Sequence, residues 1–245
     1  MKDFIIKITE MGLDKTLYDV FFALGFVSVF LFCVFYGRKI GLKLWQSIVT
    51  VLIVYPIAVI WMFAMYWIES GFQKIGGNNI VRVFVYIPLI AYPVAKLLKI
   101  KWATICDLLA FGPLSVHGIS HFGCIFLGCC AGYPFPIGIY NVNAGTTLFP
   151  TQPIEALAAI GIIIILLIRA KKNHYVPTAE TYPLMLIMFG SSRFIFEFFR
   201  ANKKIFLGCS SLSFHALFMC VAGIVALIII KHKKKSVKKM METAN

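Results

Sequence analysis

Long apolar runs alternate with short polar segments along the whole chain, and each run has the length of a transmembrane helix. A helix of roughly 17–25 apolar residues is long enough to cross the hydrocarbon core of a bilayer. Seven such runs are predicted as spans, at residues 17–36, 44–68, 80–98, 104–124, 153–168, 181–199 and 212–230. The pattern predicts an all-α membrane protein with seven transmembrane helices in a single domain, residues 1–245, which ends in a short basic tail at 231–245.

Composition agrees with this pattern and narrows the class of partner. Of the 245 residues, 60% are hydrophobic and 14% are charged, which is too apolar for an ordinary soluble domain. The net charge of +14 is compatible with binding to nucleic acid. However, the basic residues lie at the ends of apolar runs rather than clustered in one segment of the chain. We therefore expect no nucleic-acid partner. The first run has full span length and no small-residue cleavage site after it, so we expect no cleaved signal.

The distribution of lysine and arginine between the runs predicts the orientation. One side carries fifteen: Arg38, Lys39, Lys43, Lys96, Lys99, Lys101, Arg169, Lys171, Lys172, Lys231, Lys233, Lys234, Lys235, Lys238 and Lys239. The other side carries eight: Lys2, Lys7, Lys15, Lys74, Arg82, Arg200, Lys203 and Lys204. Because cytoplasmic loops are enriched in these residues, the carboxyl terminus is predicted to be cytoplasmic and the amino terminus outside.

Two charged residues lie in the sixth predicted span and a third follows it directly, in a region where an unpartnered charge costs several kcal/mol. Arg193, Glu197 and Arg200 are four and three residues apart, which places them on one face of a helix. One interpretation is a structural ion pair that holds two helices together. The other is a site for an anionic group such as a lipid phosphate, because the arginine fork donates paired hydrogen bonds to phosphate and keeps its proton.

Further polar residues fall in the same predicted layer, the outer half of the membrane. They are Ser115, His117, Ser120 and His121 in the fourth span, Cys124 at its end, and Gln152 and Glu155 at the start of the fifth. Four glycines, Gly118, Gly123, Gly128 and Gly132, predict a broken or re-entrant segment beside an outward-facing cavity. The uncharged loop from residue 133 to 153 is expected to lie in the membrane interface. A histidine in this layer can take a proton near neutral pH.

The seven cysteines are an odd number and lie mostly within or beside spans, which argues against a secreted disulfide framework. Cys33, Cys106 and Cys220 are interpreted as small packing residues. Five residues near the end of the fourth span are of types that bind zinc or copper: His117, His121, Cys124, Cys129 and Cys130. Because Cys129 and Cys130 are adjacent rather than separated by two residues, no metal and no cofactor are assigned.

Three segments resemble the prolipoprotein diacylglyceryl transferases, and they occur in the family's order. Residues 193–200, Arg-Phe-Ile-Phe-Glu-Phe-Phe-Arg, are similar to the arginine and glutamate motif of its sixth span. Residues 150–155, Pro-Thr-Gln-Pro-Ile-Glu, resemble its His-Pro-Ser-Gln-Leu-Tyr-Glu motif, and residues 121–125 fall where it has Arg-x-Gly-Asn-Phe. The resemblance covers most of the chain.

This resemblance implies a seven-span bacterial enzyme of the plasma membrane that acts on a phospholipid and on a secreted lipoprotein precursor. The family moves a diacylglyceryl group from phosphatidylglycerol to a cysteine thiol and releases glycerol phosphate. By analogy, Arg193 and Arg200 hold the phosphate, Glu197 and Glu155 orient them, and a histidine assists deprotonation of the thiol. His117, His121, Arg193 and Glu197 are then the catalytic candidates. The binding candidates are Ser120, Cys124, Gln152, Glu155 and Arg200.

The chain also departs from the family pattern. His121 and Cys124 stand where the family has the arginine and asparagine of its Arg-x-Gly-Asn motif. Phe149 and Ile154 replace a histidine and a tyrosine, and residues 76–81 lack the expected histidine. Three functions therefore remain open: a transferase with His117 or His121 as a replacement base, a non-catalytic phospholipid-binding protein with the same fold, and a metal-dependent or redox membrane protein.

Overall fold

The computed structural model describes residues 14–74, 80–202 and 205–243, and most of them are helical. The helices are α1 (Asp14–Lys39), α2 (Leu44–Glu69), α3 (Ile87–Leu97), α4 (Trp102–Leu109), α5 (Phe111–Leu127), α6 (Thr151–Lys172), α7 (Thr181–Glu197) and α8 (Ser211–Thr243). A short 3₁₀ helix, Ile80–Arg82, precedes α3. Of the residues discussed above, Lys2, Lys7, Lys203, Lys204 and the segment 75–79 lie outside the described ranges.

Among the residues that the structure describes, five helical stretches are long and apolar enough to cross a membrane, so the protein is a multi-pass helical membrane protein. These stretches are Lys15–Lys39, Leu44–Glu69, Trp102–Leu127, Thr151–Lys172 and Ser211–Val237. The stretch formed by α4 and α5 lies at the centre, because 78% of its apolar window is buried, against 22–33% in the other four. The sixth predicted span is the 17-residue α7. The count of seven and the orientation stay predictions.

The third predicted span, residues 80–98, is not one helix. Regular α-helix is present only over the 11 residues of α3, after the 3₁₀ turn and four residues of irregular backbone. Pro88 lies in the first turn of α3, where its missing N–H is tolerated, and Pro93 lies further inside the helix. The proline positions thus explain why the apolar run begins as a helix later than hydropathy predicts.

The prediction of a broken segment was wrong at Gly118 and Gly123, but the helix does break at Gly128. Helix α5 continues through Gly118 and Gly123 and ends only at Gly128, whose φ of 69° forms a left-handed cap. The reason is packing: a Cβ at Gly123 would lie 2.9 Å from the Cβ of Phe21 in α1. The irregularity comes earlier, between α4 and α5, where Pro113 cannot donate to the carbonyl group of Leu109.

The uncharged loop before α6 contains a β-hairpin, which an all-α prediction does not include. Strands β1 (Pro134–Asn141) and β2 (Thr146–Leu148) pair antiparallel, with Tyr140 opposite Thr147. Backbone hydrogen bonds tie this segment to the residues that follow α7: the Tyr133 N–H donates to the carbonyl oxygen of Phe199 at 3.0 Å. The hairpin therefore closes one end of the bundle. Its place in the membrane interface remains a prediction.

The other end of the bundle is held by a buried carboxylate and by the basic end of α8. Asp107 in α4 accepts hydrogen bonds from the backbone N–H groups of Thr178, Ala179 and Thr181, at 2.7, 3.1 and 3.1 Å, and so caps the start of α7. Lys234 bonds to Glu180 at 2.7 Å. Helix α8 continues past the predicted end of the last span to Thr243, so the basic tail is helical as far as that residue.

Candidate active site

The predicted polar residues converge where α5 ends, α6 begins and α7 ends. His117, His121 and Cys124 lie on the last turns of α5, and Glu155 lies on the first turns of α6. Arg193 and Glu197 lie on the last turns of α7. Arg200 was predicted on the same helix face, directly after the sixth span, but the helix already ends at Glu197, and a backbone bridge to Gly132 fixes the position of Arg200. The site is thus assembled from three helix ends and one short bridge.

Glu155 is the centre of this cluster and is almost fully buried, at 2% exposure. Its Oε1 accepts hydrogen bonds from Nη1 of Arg193 at 2.6 Å and from Nη1 of Arg200 at 2.9 Å. Charge-assisted bonds of this kind are short and strong. One carboxylate on α6 therefore fixes both arginines, which come from α7 and from the segment after it.

Glu197 is a second carboxylate that contacts the same two arginines. Its Oε2 lies 2.9 Å from Nη2 of Arg193 and 3.8 Å from Nε of Arg200. Its Oε1 accepts from the hydroxyl of Ser210 at 2.6 Å and from the amide of Asn202. The four charged groups balance in sign, which lowers the cost of burying them.

The two histidines lie against the second oxygen of Glu155. Nε2 of His121 is 3.2 Å and Nε2 of His117 is 3.4 Å from Glu155 Oε2, and the two imidazole rings lie 3.8 Å apart between centroids. Nδ1 of His121 is 3.0 Å from the carbonyl oxygen of His117. Both nitrogens of His121 therefore face acceptors, so a proton shared by His121 and Glu155 satisfies this arrangement. The His121–Glu155 pair can therefore exchange a proton with a molecule bound in the cavity that His121 lines.

The adjacent cysteines follow α5 directly, and the first turn of α6 fixes their backbone. Gln152 donates from Nε2 to the carbonyl oxygen of Cys129 at 2.8 Å, and Thr151 donates from Oγ1 to that of Cys130 at 2.5 Å. Cys130 has a φ of 62°, a left-handed conformation that is uncommon outside glycine. The resulting turn brings Sγ of Cys124, Cys129 and Cys130 within 4.8 Å of one another.

The thiol of Cys130 is electrostatically coupled to the arginine cluster. Hydrogen bonds from Cys124 and Cys129 hold the pKa of the Cys130 thiol well below its ordinary value, and the positive charge of Arg200 acts in the same direction. The lowered pKa favours the thiolate at Cys130, which is the form that attacks carbon. The three cysteines therefore belong to the same site as the arginines.

A cavity of about 400 Å³ lies in front of these groups. Its polar end is formed by His117, Ser120, His121, Cys124, Cys129, Cys130, Arg193 and Arg200. Aromatic and aliphatic side chains form the rest of its wall, among them Phe22, Phe26, Val59, Met62, Phe63, Phe84 and Ile87. Such a cavity accepts an amphipathic molecule with a charged or polar head and an apolar body.

The structure separates the predicted site residues into two groups. Six of them line the cavity: His117, Ser120, His121, Cys124, Arg193 and Arg200. The other three, Gln152, Glu155 and Glu197, are absent from its lining and bond to the residues or backbone that form it. Within the described part of the chain, these three position other groups rather than face the cavity.

Sequence reasoning missed several residues that build the site. Cys129 and Cys130 were left without a role, although they line the cavity. Thr151, Asn202 and Ser210 were not singled out, and they hold Cys130 and Glu197 in place. The only signal for them was their position beside the predicted motifs, because short polar residues in loops are common.

Arg82 belongs to a different polar cluster. Its Nε lies 2.9 Å from Oε2 of Glu69, and Nε2 of His215 lies 3.0 Å from Oε1 of the same carboxylate. These contacts join the end of α2 to the start of α8. Arg82 is absent from the cavity lining, so the described structure gives it a structural role near the site.

Most of the chain is similar to one known protein family. The family model for prolipoprotein diacylglyceryl transferase matches residues 6–229. The comparison with curated proteins gave no match. The matched range includes the polar cluster around Glu155 and all three clustered cysteines, and it confirms the resemblance that the sequence motifs predicted.

Proposed function

Since the chain belongs to the prolipoprotein diacylglyceryl transferase family, we propose that it transfers a diacylglyceryl group from a phospholipid resembling phosphatidylglycerol to a thiol. The family consists of transferases that act in lipoprotein biosynthesis. The proposed acceptor is the cysteine of a secreted lipoprotein precursor, and the proposed place is the outer leaflet of a bacterial plasma membrane.

One observation carries this proposal: two buried arginines form the polar end of a cavity whose other walls are apolar. Arg193 and Arg200 both line the cavity, and their exposed fractions are only 2% and 5%. Phe22, Met62 and Phe84 are among the apolar lining residues. A phospholipid matches this division, because its phosphate carries the charge and its acyl chains are apolar.

The arginines retain hydrogen-bonding capacity for a phosphate. Among the described residues, Nε of Arg193 and Nε of Arg200 have no aligned hydrogen-bond partner, although both atoms are buried. A buried donor without an acceptor costs about 1–3 kcal/mol. An anionic oxygen in the cavity would remove that cost, and the guanidinium fork suits phosphate geometry. This makes the arginine pair a suitable holder for the leaving group.

The proposed transfer step can be written atom by atom. The acceptor sulfur attacks the glyceryl carbon that carries the phosphoester oxygen, the carbon–oxygen bond breaks, and its electrons pass to the departing glycerol phosphate. Arg193 and Arg200 stabilise the developing negative charge. The thiol proton passes to Nε2 of His121, where it becomes the proton shared with Oε2 of Glu155, 3.2 Å away. His117 lies beside them and is the second candidate base.

The test is a transfer assay with the purified full-length chain, phosphatidylglycerol vesicles and a precursor peptide that contains one cysteine. We expect release of glycerol phosphate with the wild type and a loss of about 100-fold or more with Arg193→Ala, the scale of removing one charge-stabilising donor. The matched control is Arg169→Ala, because Arg169 also pairs with a glutamate, Glu180, but at the other end of the bundle. Unchanged transfer in both Arg193→Ala and Glu197→Ala would overturn the proposal.

A second candidate function is phospholipid binding without transfer. The observation that favours it is the engagement of both histidines with Glu155, which leaves no separate base for the acceptor thiol. Under this alternative, the wild type binds phosphatidylglycerol but releases no glycerol phosphate. A transfer activity that His121→Ala abolishes, with lipid binding retained, would exclude it.

A further inference from the structure

Three of the seven cysteines converge at one point of the fold. Cys124 lies in the last turn of α5, while Cys129 and Cys130 follow the left-handed turn at Gly128. Their three Sγ atoms lie within 4.8 Å of one another. Zinc–sulfur bonds of about 2.3 Å place two sulfurs about 3.8 Å apart in tetrahedral geometry. The observed cluster therefore needs only a small contraction to surround one ion.

Hydrogen bonds from α6 fix the backbone that carries two of these sulfurs. Hydrogen bonds from Gln152 and Thr151 restrain both carbonyl groups of the Cys129-Cys130 pair. By contrast, the thiols of Cys33 and Cys220 point at helix carbonyl oxygens, those of Leu108 and Ile187, which is ordinary for packing cysteines. The clustered cysteines thus differ from these packing cysteines in two ways: their sulfur atoms lie close together, and hydrogen bonds restrain the backbone of Cys129 and Cys130.

We propose that Cys124, Cys129 and Cys130 bind one thiophilic metal ion, zinc(II) or copper(I), at the polar end of the cavity. Thiolates are preferred ligands of both ions. Arg200 lies against Cys130, so its positive charge offsets part of the negative charge of the thiolates. This site goes beyond the proposed transfer function and does not depend on it.

The geometry also indicates what completes the coordination. The imidazole of His121 is committed to the carbonyl oxygen of His117 and to Glu155, so it is not available as a fourth ligand in this arrangement. All three cysteines line the cavity. The fourth position therefore opens to the cavity and takes water or an anionic oxygen, which is the pattern of a metal site that keeps one exchangeable ligand.

The first experiment measures metal content. The full-length chain is purified in detergent with a phosphine reductant and without chelator, and zinc and copper are quantified by mass spectrometry. We expect about one equivalent per chain in the wild type and at least a tenfold lower content in Cys124→Ser and in the double variant Cys129→Ser with Cys130→Ser. The matched control, Cys209→Ser with Cys220→Ser, removes two cysteines outside the cluster and should keep its metal.

A second measurement on the wild type keeps the proposal testable if the serine variants fail to fold. Cobalt(II) is titrated into the chelator-treated full-length protein, and thiolate-to-cobalt charge-transfer absorption is followed. Saturation at one equivalent, reversed by zinc, supports a zinc site, whereas capture of copper(I) from a chromogenic chelator, with no response to cobalt, supports a copper site.

Three results would overturn the metal site. They are a wild type that binds none of these ions, a control that loses metal as fully as the cluster variants, and clustered sulfurs found as a disulfide or a lipid thioether by peptide mass spectrometry. None of these measurements uses lipid turnover. Failure of the metal site is therefore distinguishable from failure of the proposed transferase function.

Discussion

Asp107 and Glu155 are both buried carboxylates with 2% exposure, yet the fold uses them differently. Asp107 accepts hydrogen bonds from three backbone N–H groups at the start of α7. Glu155 bonds to two arginines and faces two histidines beside a cavity. The comparison shows that burial alone does not mark a functional carboxylate. The partners do, because ionisable partners near a cavity can move charge and protons whereas backbone amides cannot.

The largest expected effect comes from Glu155→Gln. The amide keeps the size of the side chain but loses the charge that fixes Arg193 and Arg200, and a displacement of about 1 Å can cost 100-fold in rate. We expect transfer to fall about 100-fold or more in the assay of glycerol phosphate release. The control is Asp107→Asn, which should change the rate less than about threefold. Equal losses in the two variants would remove the distinction between the carboxylates.

A smaller effect, on stability rather than on the transfer rate, is expected from Asp107→Ala. This change leaves the N–H groups of Thr178, Ala179 and Thr181 without their acceptor. The Thr181 N–H is buried and costs about 1–3 kcal/mol when unpaired, whereas the other two are only partly buried and cost less. We expect the free energy of unfolding in detergent to fall by about 2–3 kcal/mol. The rate per folded molecule should not change. A loss of rate at unchanged stability would give Asp107 a role in the site and would contradict its assignment as a cap.

The difference between the two carboxylates could be predicted only in part. The spacing of Arg193 and Glu197 fixes them on one face of α7, because an α-helix brings residues four apart together. His117 and His121 follow the same rule on α5. That Glu155 joins these two helices depends on a third element and on the hairpin before it, which no local pattern specifies. The polar layer, Glu155 included, was predictable, whereas the position of Glu155 at its centre was not.

The convergence of the three sulfurs was not predictable for a related reason. Cys124 and Cys129 are five residues apart, a spacing that keeps them on different faces of a continuous helix. The helix ends between them at Gly128, whose left-handed turn reverses the chain. The glycines were interpreted as breaks throughout the segment, but Gly123 serves close packing against Phe21. Whether a glycine ends a helix or permits contact depends on the neighbouring helix.

The smallest effect is expected from filling the apolar part of the cavity whose polar end is formed by the arginines that Glu155 binds. Ala58 on α2 is 3% exposed and lines that cavity, so Ala58→Phe should occupy space intended for the acyl chains. We expect the KM for long-chain phosphatidylglycerol to rise about tenfold, which corresponds to about 1.4 kcal/mol, with kcat nearly unchanged. Leu52→Phe is the control, because Leu52 lies on the same helix but is 61% exposed. If both variants change KM equally, or if short-chain and long-chain donors respond alike, the cavity does not hold acyl chains. The residues around Glu155 would then form an ion-pair network without a lipid site. Glu155 would have different partners from Asp107, but both carboxylates would serve only to hold helices together.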